Sequence, residues 1–170
     1  MTPVGTGAGD APPVTPPPAE DVSPRLDDAW TEADLAVVHD VIRRTYWAED
    51  IPLEVMRRAM AGSLNLLMRS HSGDLIGYAR VVTDRATFAY LCDVFVLEGR
   101  RGQGLGDWMI GQVVAHPALQ GLRRFSLFTR DAHALYARHG FTPLATPDRG
   151  MEIVRPGLYR SHPPQPPRPN

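Results

Sequence analysis

Val94-Phe95-Val96-Leu97-Glu98-Gly99-Arg100-Arg101-Gly102-Gln103-Gly104-Leu105-Gly106-Asp107-Trp108-Met109-Ile110 decides the fold of this chain, because a β-type stretch empties into a glycine-rich turn that reopens as an amphipathic helix. Glycine lets backbone amides approach an anion closely. The first N–H groups of a helix have no partner within it and carry the positive end of its dipole. The turn therefore predicts a phosphate or pyrophosphate site. A P-loop needs G-x-x-x-x-G-K-[ST], and no Lys-Ser or Lys-Thr follows the last glycine. A dinucleotide turn needs G-x-G-x-x-G, whereas Gly102, Gly104 and Gly106 fall at every second position and no early strand opens the chain before them.

What the segment resembles is motif A of the GNAT superfamily of N-acetyltransferases, [RQ]-x-x-G-x-[GA], read here as Arg101-x-x-Gly104-x-Gly106 after a strand. A second stretch, Ala132-x-x-Leu135-Tyr136-x-x-x-Gly140-Phe141, is similar to that family's A-x-x-[LF]-Y-x-x-x-G-F signature. The likeness covers roughly Leu64 to Val154. It implies an α/β (α+β) fold with a mixed central sheet of about six to seven strands flanked by about four helices. In that fold a cofactor cleft opens between two splayed parallel strands, and the loop amides hold the pyrophosphate of acetyl-coenzyme A.

Composition bounds the rest. With 170 residues, 18 basic and 19 acidic side chains and a formal net charge of −1, the chain offers no basic field for nucleic acid or anionic lipid. Residues 1–24 and 161–170 are proline-rich and lack apolar periodicity, so both read as disordered tails around a single domain at 25–160. Pro13-Val14-Thr15-Pro16 and Pro164-Gln165-Pro166-Pro167 fit P-x-x-P, a pattern that any proline-rich tail produces. Cys92 is the only cysteine, and the amino terminus has neither a basic n-region nor an apolar stretch. These features lead to the expectation of a cytoplasmic protein with no membrane and no nucleic-acid partner, monomeric or homodimeric.

Thr31 can cap a helix carrying Leu35, Val38, Ile42 and Tyr46, and Pro52 suits the first turn of a second helix closed by Gly62-Ser63. Strands are expected at Leu64–Arg69, Leu75–Thr83 and Thr87–Val96, then a helix from Gly104 to Ala115 and a strand at Arg124–Thr129. A short helix ending at Gly140 follows, with Asp131 as its N-cap, and two strands near Phe141–Leu144 and Met151–Val154 close the series. Strand-helix-strand at the glycine turn implies a parallel crossover.

The resemblance assigns roles. Backbone groups of Val94, Phe95 and Val96 would pair with the pantetheine amides like an added strand, and the amide near Val94 would polarise the thioester carbonyl. Arg101, Gly102, Gln103, Gly104, Leu105 and Gly106 would cradle the pyrophosphate. Thr129 stands where many relatives have an asparagine that contacts the cofactor. Tyr136 occupies the general-acid position.

Asp93, a lone charge in an apolar strand, is either the general base or half of a structural hydrogen bond, and period-two alternation sends it to the face opposite Cys92. The surrounding Leu91-Cys92-Asp93-Val94-Phe95-Val96 is similar to L-E-D-F-F-V of diamine acetyltransferases, with Cys92 in place of their glutamate. His133 is a secondary candidate for proton relay or simply an exposed histidine. Tyr46 and Trp47, after the first helix, suit an acceptor pocket or a core plug, and Cys92 reads as a small buried hydrophobe. Together these readings lead to an acetyl-coenzyme A-dependent N-acetyltransferase, without a metal, that acts on a primary amine of a small molecule by direct attack in a ternary complex. A protein amino group as acceptor and a noncatalytic acyl-coenzyme A-binding domain are the alternatives.

Overall fold

The computed structural model describes residues 25–160, and both proline-rich tails and their P-x-x-P matches lie outside the described residues. A short strand β1 (Arg25–Asp27) leads into helices α1 (Glu32–Ile42) and α2 (Leu53–Ala61). The antiparallel strands β2 (Leu64–Arg69), β3 (Leu75–Thr83) and β4 (Phe88–Val96) follow, then α3 (Leu105–Ala115), β5 (Arg124–Leu127) and α4 (His133–Ala137). The sheet order is β1-β2-β3-β4-β5, antiparallel except for the parallel β4–β5 pair, which is the expected crossover.

Alternation along the strands sorts the core onto two faces. Leu64, Leu66, Met68, Ala79, Val81, Ala89 and Leu91 pack against Leu105, Met109, Ile110 and Val113 of α3. Leu67, Tyr78 and Phe95 pack on the opposite side against Leu35, Val38 and Ile42 of α1 and Met56 and Met60 of α2. Tyr78, fully buried, donates its hydroxyl to Asn65 Oδ1 at 2.6 Å, and Asn65 in turn donates to the Met60 carbonyl at 2.8 Å. These bonds satisfy the polar groups caught between sheet and helices.

Helix α1 starts as expected, with a capping box in which the Thr31 side chain accepts from the Asp34 amide and Asp34 accepts from Thr31. Asp34 also forms a two-point pair with Arg69 of β2, at 2.9 and 3.0 Å, and Arg69 reaches Asp27 of β1 at 2.7 Å. One guanidinium thus fastens α1 to the sheet edge.

Five expectations are corrected. The described residues form five strands, fewer than the six to seven expected, because Phe141–Leu144 and Met151–Val154 are extended coil with no ladder. Apolar composition suggested strands there, but Pro143, Pro147 and Pro156 interrupt this region and each removes a backbone donor. The strand expected to reach Thr129 ends at Leu127, and the last helix ends at Ala137 rather than Gly140. Ala132, not Asp131, occupies the N-cap of α4, and the Thr129 hydroxyl accepts from its amide at 3.1 Å.

The fifth correction concerns Asp93. Between Tyr78↔Phe95 and Arg80↔Cys92, β4 holds one residue more than β3, and Asp93 takes a left-handed φ of 51° within this bulge. Regular alternation would place Asp93 with Leu91 on the α3 side. The bulge turns it to the α1 side, where it meets Arg80 and Trp47. Beyond it the faces of β4 exchange, so that Phe95 joins the α1 side while Val94 and Val96 pack towards α3.

Candidate active site

The parallel pairing of β4 with β5 covers only Phe88↔Arg124 to Leu91↔Leu127. From Cys92 onwards the two strands part, and β4 leaves its backbone groups on that side without a strand partner among the described residues. Two cavities occupy the gap. A groove of about 410 Å³ runs along Val94, Phe95 and Val96 to the glycine turn at Arg101, Gly102, Gly104, Leu105 and Gly106. A cleft of about 590 Å³ lies between Tyr90–Val94 and Phe128–Ala132. Trp47, Val94, Ala132 and Tyr136 line both, so the two meet at the Tyr136 ring.

The groove suits a phosphate-bearing ligand. Gly102 and Gly104 hold positive φ angles of 76° and 75°, which side chains disfavour, and Gly104 is the N-cap of α3. A Cβ at either glycine would enter open space, so the turn presents backbone rather than side chain. The amides of Gly104, Leu105 and Gly106 at the start of α3, and the positive end of its dipole, then lie at the groove. Arg101 donates its Nε to the Val96 carbonyl at 3.1 Å, fixing the turn against the end of β4. Gln103 is exposed and does not line the groove.

In the cleft, Asp93 is buried, and each of its oxygens has a partner. Arg80 Nε donates to Oδ2 at 2.7 Å and the Trp47 indole to Oδ1 at 3.1 Å. Arg80, also largely buried, donates to Ser63 Oγ at 3.1 Å. Tyr136 is half-buried beside Phe141, and burial, with the charge of Asp131, raises its phenol above the ordinary tyrosine range. Helix α4 that carries it is tied to α3, since Asp107 accepts from Arg138 at 2.8 Å and bonds His139 at 3.0 Å.

Of the expected residues, the cleft gathers Asp93, Tyr136, Val94, Thr129, Tyr46 and Trp47. His133 is exposed and borders a different cavity on the far side of Tyr136, away from Asp93. Tyr46 and Trp47 are not core plugs, being 56% and 50% exposed with rings perpendicular at 4.9 Å. Cys92 is half-buried, and burial pushes its thiol up to about 12, so it carries no thiolate near neutral pH.

Arg80, Phe128 and Arg130 were not anticipated. Arg80 had a signal: a lone cation in Leu75-Ile76-Gly77-Tyr78-Ala79-Arg80-Val81 beside a lone anion in the next strand of the same hairpin. Arg130 stacks over the Tyr46 ring at 4.2 Å, a contact between distant loops that has no local pattern.

The family model described as "Acetyltransferase (GNAT) family" matches residues 26–141, and the chain belongs to that family. A crystal structure from Xanthomonas campestris pv. campestris, of a candidate acetyltransferase of the GNAT family, is 45% identical. It aligns over 81% of this chain and 97% of its own with a TM-score of 0.75. A candidate acetyltransferase of Gibberella zeae is 32% identical over 55% of this chain, which spans 63% of the length of that relative. The GNAT family N-acetyltransferase YhbS of Escherichia coli, solved in complex with CoA, shares the fold at a TM-score of 0.55 and 20% identity, over 75% of this chain and 72% of its own.

Proposed function

We propose that residues 25–160 form an acetyl-coenzyme A-dependent N-acetyltransferase domain that acetylates a primary amine of a small molecule by direct attack in a ternary complex. The observation that carries this reading is the junction at Tyr136. There a groove that starts at a glycine-rich helix N-terminus meets a separate cleft, so that a phosphate-bearing acyl donor and an amine can approach one point from two sides. The CoA bound to the E. coli relative of like fold supports the choice of donor.

Gly102, Gly104, Leu105, Gly106 and Arg101 would hold the pyrophosphate, and the free backbone edge of Val94, Phe95 and Val96 would pair with the pantetheine amides. The bound coenzyme supplies an acetyl group activated as a thioester. The amide near Val94 stabilises negative charge developing on the acetyl oxygen. Tyr136 is protonated at neutral pH and donates its proton to the leaving sulfur as the carbon–sulfur bond breaks. Asp93, held by Arg80 and Trp47, or a water takes the proton lost by the amine.

Calorimetric titration of acetyl-coenzyme A into wild type and Gly104→Trp tests the reading. Binding by wild type that the bulky side chain abolishes is the expected result. No binding to wild type would sink it.

A further inference from the structure

The amine cleft has an aromatic wall that the protein does not cover. Tyr46, Trp47, Tyr90, Phe128 and Tyr136 all line it. Three of them stay largely in solvent: Tyr46 at 56%, Trp47 at 50% and Phe128 at 75% exposed. Burying an aromatic ring is strongly favourable, so rings left exposed around one concavity mark a surface for an apolar ligand. Phe128 touches only the Tyr90 ring among the described aromatics, at a centroid distance of 6.1 Å.

The buried charge of the cleft is matched within the protein. Asp93 is neutralised by Arg80 at 2.7 Å. Arg130 lies 3.6 Å from Asp131 and stacks on the Tyr46 face. Of the charged lining residues, only Asp93 is buried, and both of its oxygens are engaged; Arg130 and Asp131 form an exposed pair at the rim, so the buried part of the cleft offers aromatic faces rather than a free charge. A single ammonium needs no free charge, since the negative faces of aromatic rings attract it.

Trp47 is held for this task from behind. Its indole N–H donates to Asp93, Asp93 accepts from Arg80, Arg80 donates to Ser63, and Ser63 donates to the Ala59 carbonyl of α2 at 2.7 Å. A ring fixed in this way loses little freedom when a ligand stacks on it.

We propose that the acceptor is an arylalkylamine, a primary amine with one positive charge and an aromatic body, and that Trp47 and Phe128 determine this specificity. The inference rests on the acetyltransferase reading above and deepens it.

The test compares 2-phenylethylamine, hexylamine, spermidine and lysine as acceptors with acetyl-coenzyme A and the full chain. We expect kcat/KM for 2-phenylethylamine to exceed that for each of the others by about tenfold or more. Phe128→Ala removes an exposed side chain and leaves the fold undisturbed. It should lower the ratio of 2-phenylethylamine to hexylamine use about 3- to 10-fold, and Trp47→Ala at least as much. Independently of turnover, 2-phenylethylamine should change tryptophan fluorescence saturably in wild type, and Trp47→Phe should abolish the change.

Preference for spermidine or lysine, equal use of 2-phenylethylamine and hexylamine, or no turnover of any by a protein that binds acetyl-coenzyme A overturns the substrate class while the cofactor reading stands. Failure to bind acetyl-coenzyme A overturns the acetyltransferase reading and the proposal with it.

Discussion

Tyr136, carried on α4, is half-buried where the groove and the cleft meet, and burial with the charge of Asp131 raises its phenol above the ordinary tyrosine range, so the hydroxyl stays protonated throughout the neutral range. Its replacement by Phe keeps the ring contact with Phe141 and removes only the hydroxyl, the proposed acid. Tyr136→Phe should lower kcat about 10²- to 10³-fold while the dissociation constant for acetyl-coenzyme A changes less than about threefold, as read by steady-state kinetics and calorimetry. A pH profile adds a second check: the raised pKa of Tyr136 means that its ionisation contributes no loss of activity below the ordinary tyrosine value of 10.0. The place of Tyr136 at the junction of groove and cleft was legible from the sequence because it follows from a local spacing, Ala132 to Phe141. The face on which Asp93 meets its partners was not, because a bulge adds one residue to β4 without leaving any mark in the apolar pattern.

Elements are held in register by a few directional contacts, and α1 shows how much rests on one. Asp34 is 5% exposed and receives hydrogen bonds from Arg69 and from Thr31. Burial opposes its ionisation, but these bonds outweigh burial and hold the carboxyl below its ordinary value of 3.8. A carboxyl whose pKa is depressed by folding contributes its full stability above the unfolded value and loses it as pH falls through the folded one. Asp34→Asn should therefore destabilise the protein by about 2–4 kcal/mol at pH 7, leaving Arg69 half-paired. The gap between variant and wild type, followed by denaturant unfolding, should narrow below about pH 4. Capping and strand limits at this end followed from the sequence, since Thr31 to Asp34 and Leu64 to Thr83 are governed by neighbours a few residues away. The tie from Asp34 to Arg69 spans the α1–α2 hairpin, and no local pattern announces it.

At the scale of the molecule, α1 and α2 cover one face of the sheet and α3 the other, while the outer edge of β5 has no strand beside it among the described residues. The stretch that composition suggested would complete that edge stays extended and exposed, with Met151 98% and Ile153 92% accessible. Backbone amides of Phe141–Leu144 and Met151–Val154 should exchange with solvent orders of magnitude faster than those of Leu64–Arg69 or Leu75–Thr83, a contrast that hydrogen-exchange mass spectrometry reads directly. Protection at 151–154 equal to that of β2 would contradict the described edge.

The extra residue at Asp93 has one more implication, which concerns how the sequence can change. Because everything after it in β4 has reversed parity, removing that single position would delete more than a carboxylate. It would exchange Phe95 for its neighbours across the sheet, drive the ring into the space of Val94 and Val96, and turn the backbone that lines the groove by half a repeat. Substitutions at 93 alter chemistry, whereas a length change there rewrites which half of the molecule each later side chain belongs to.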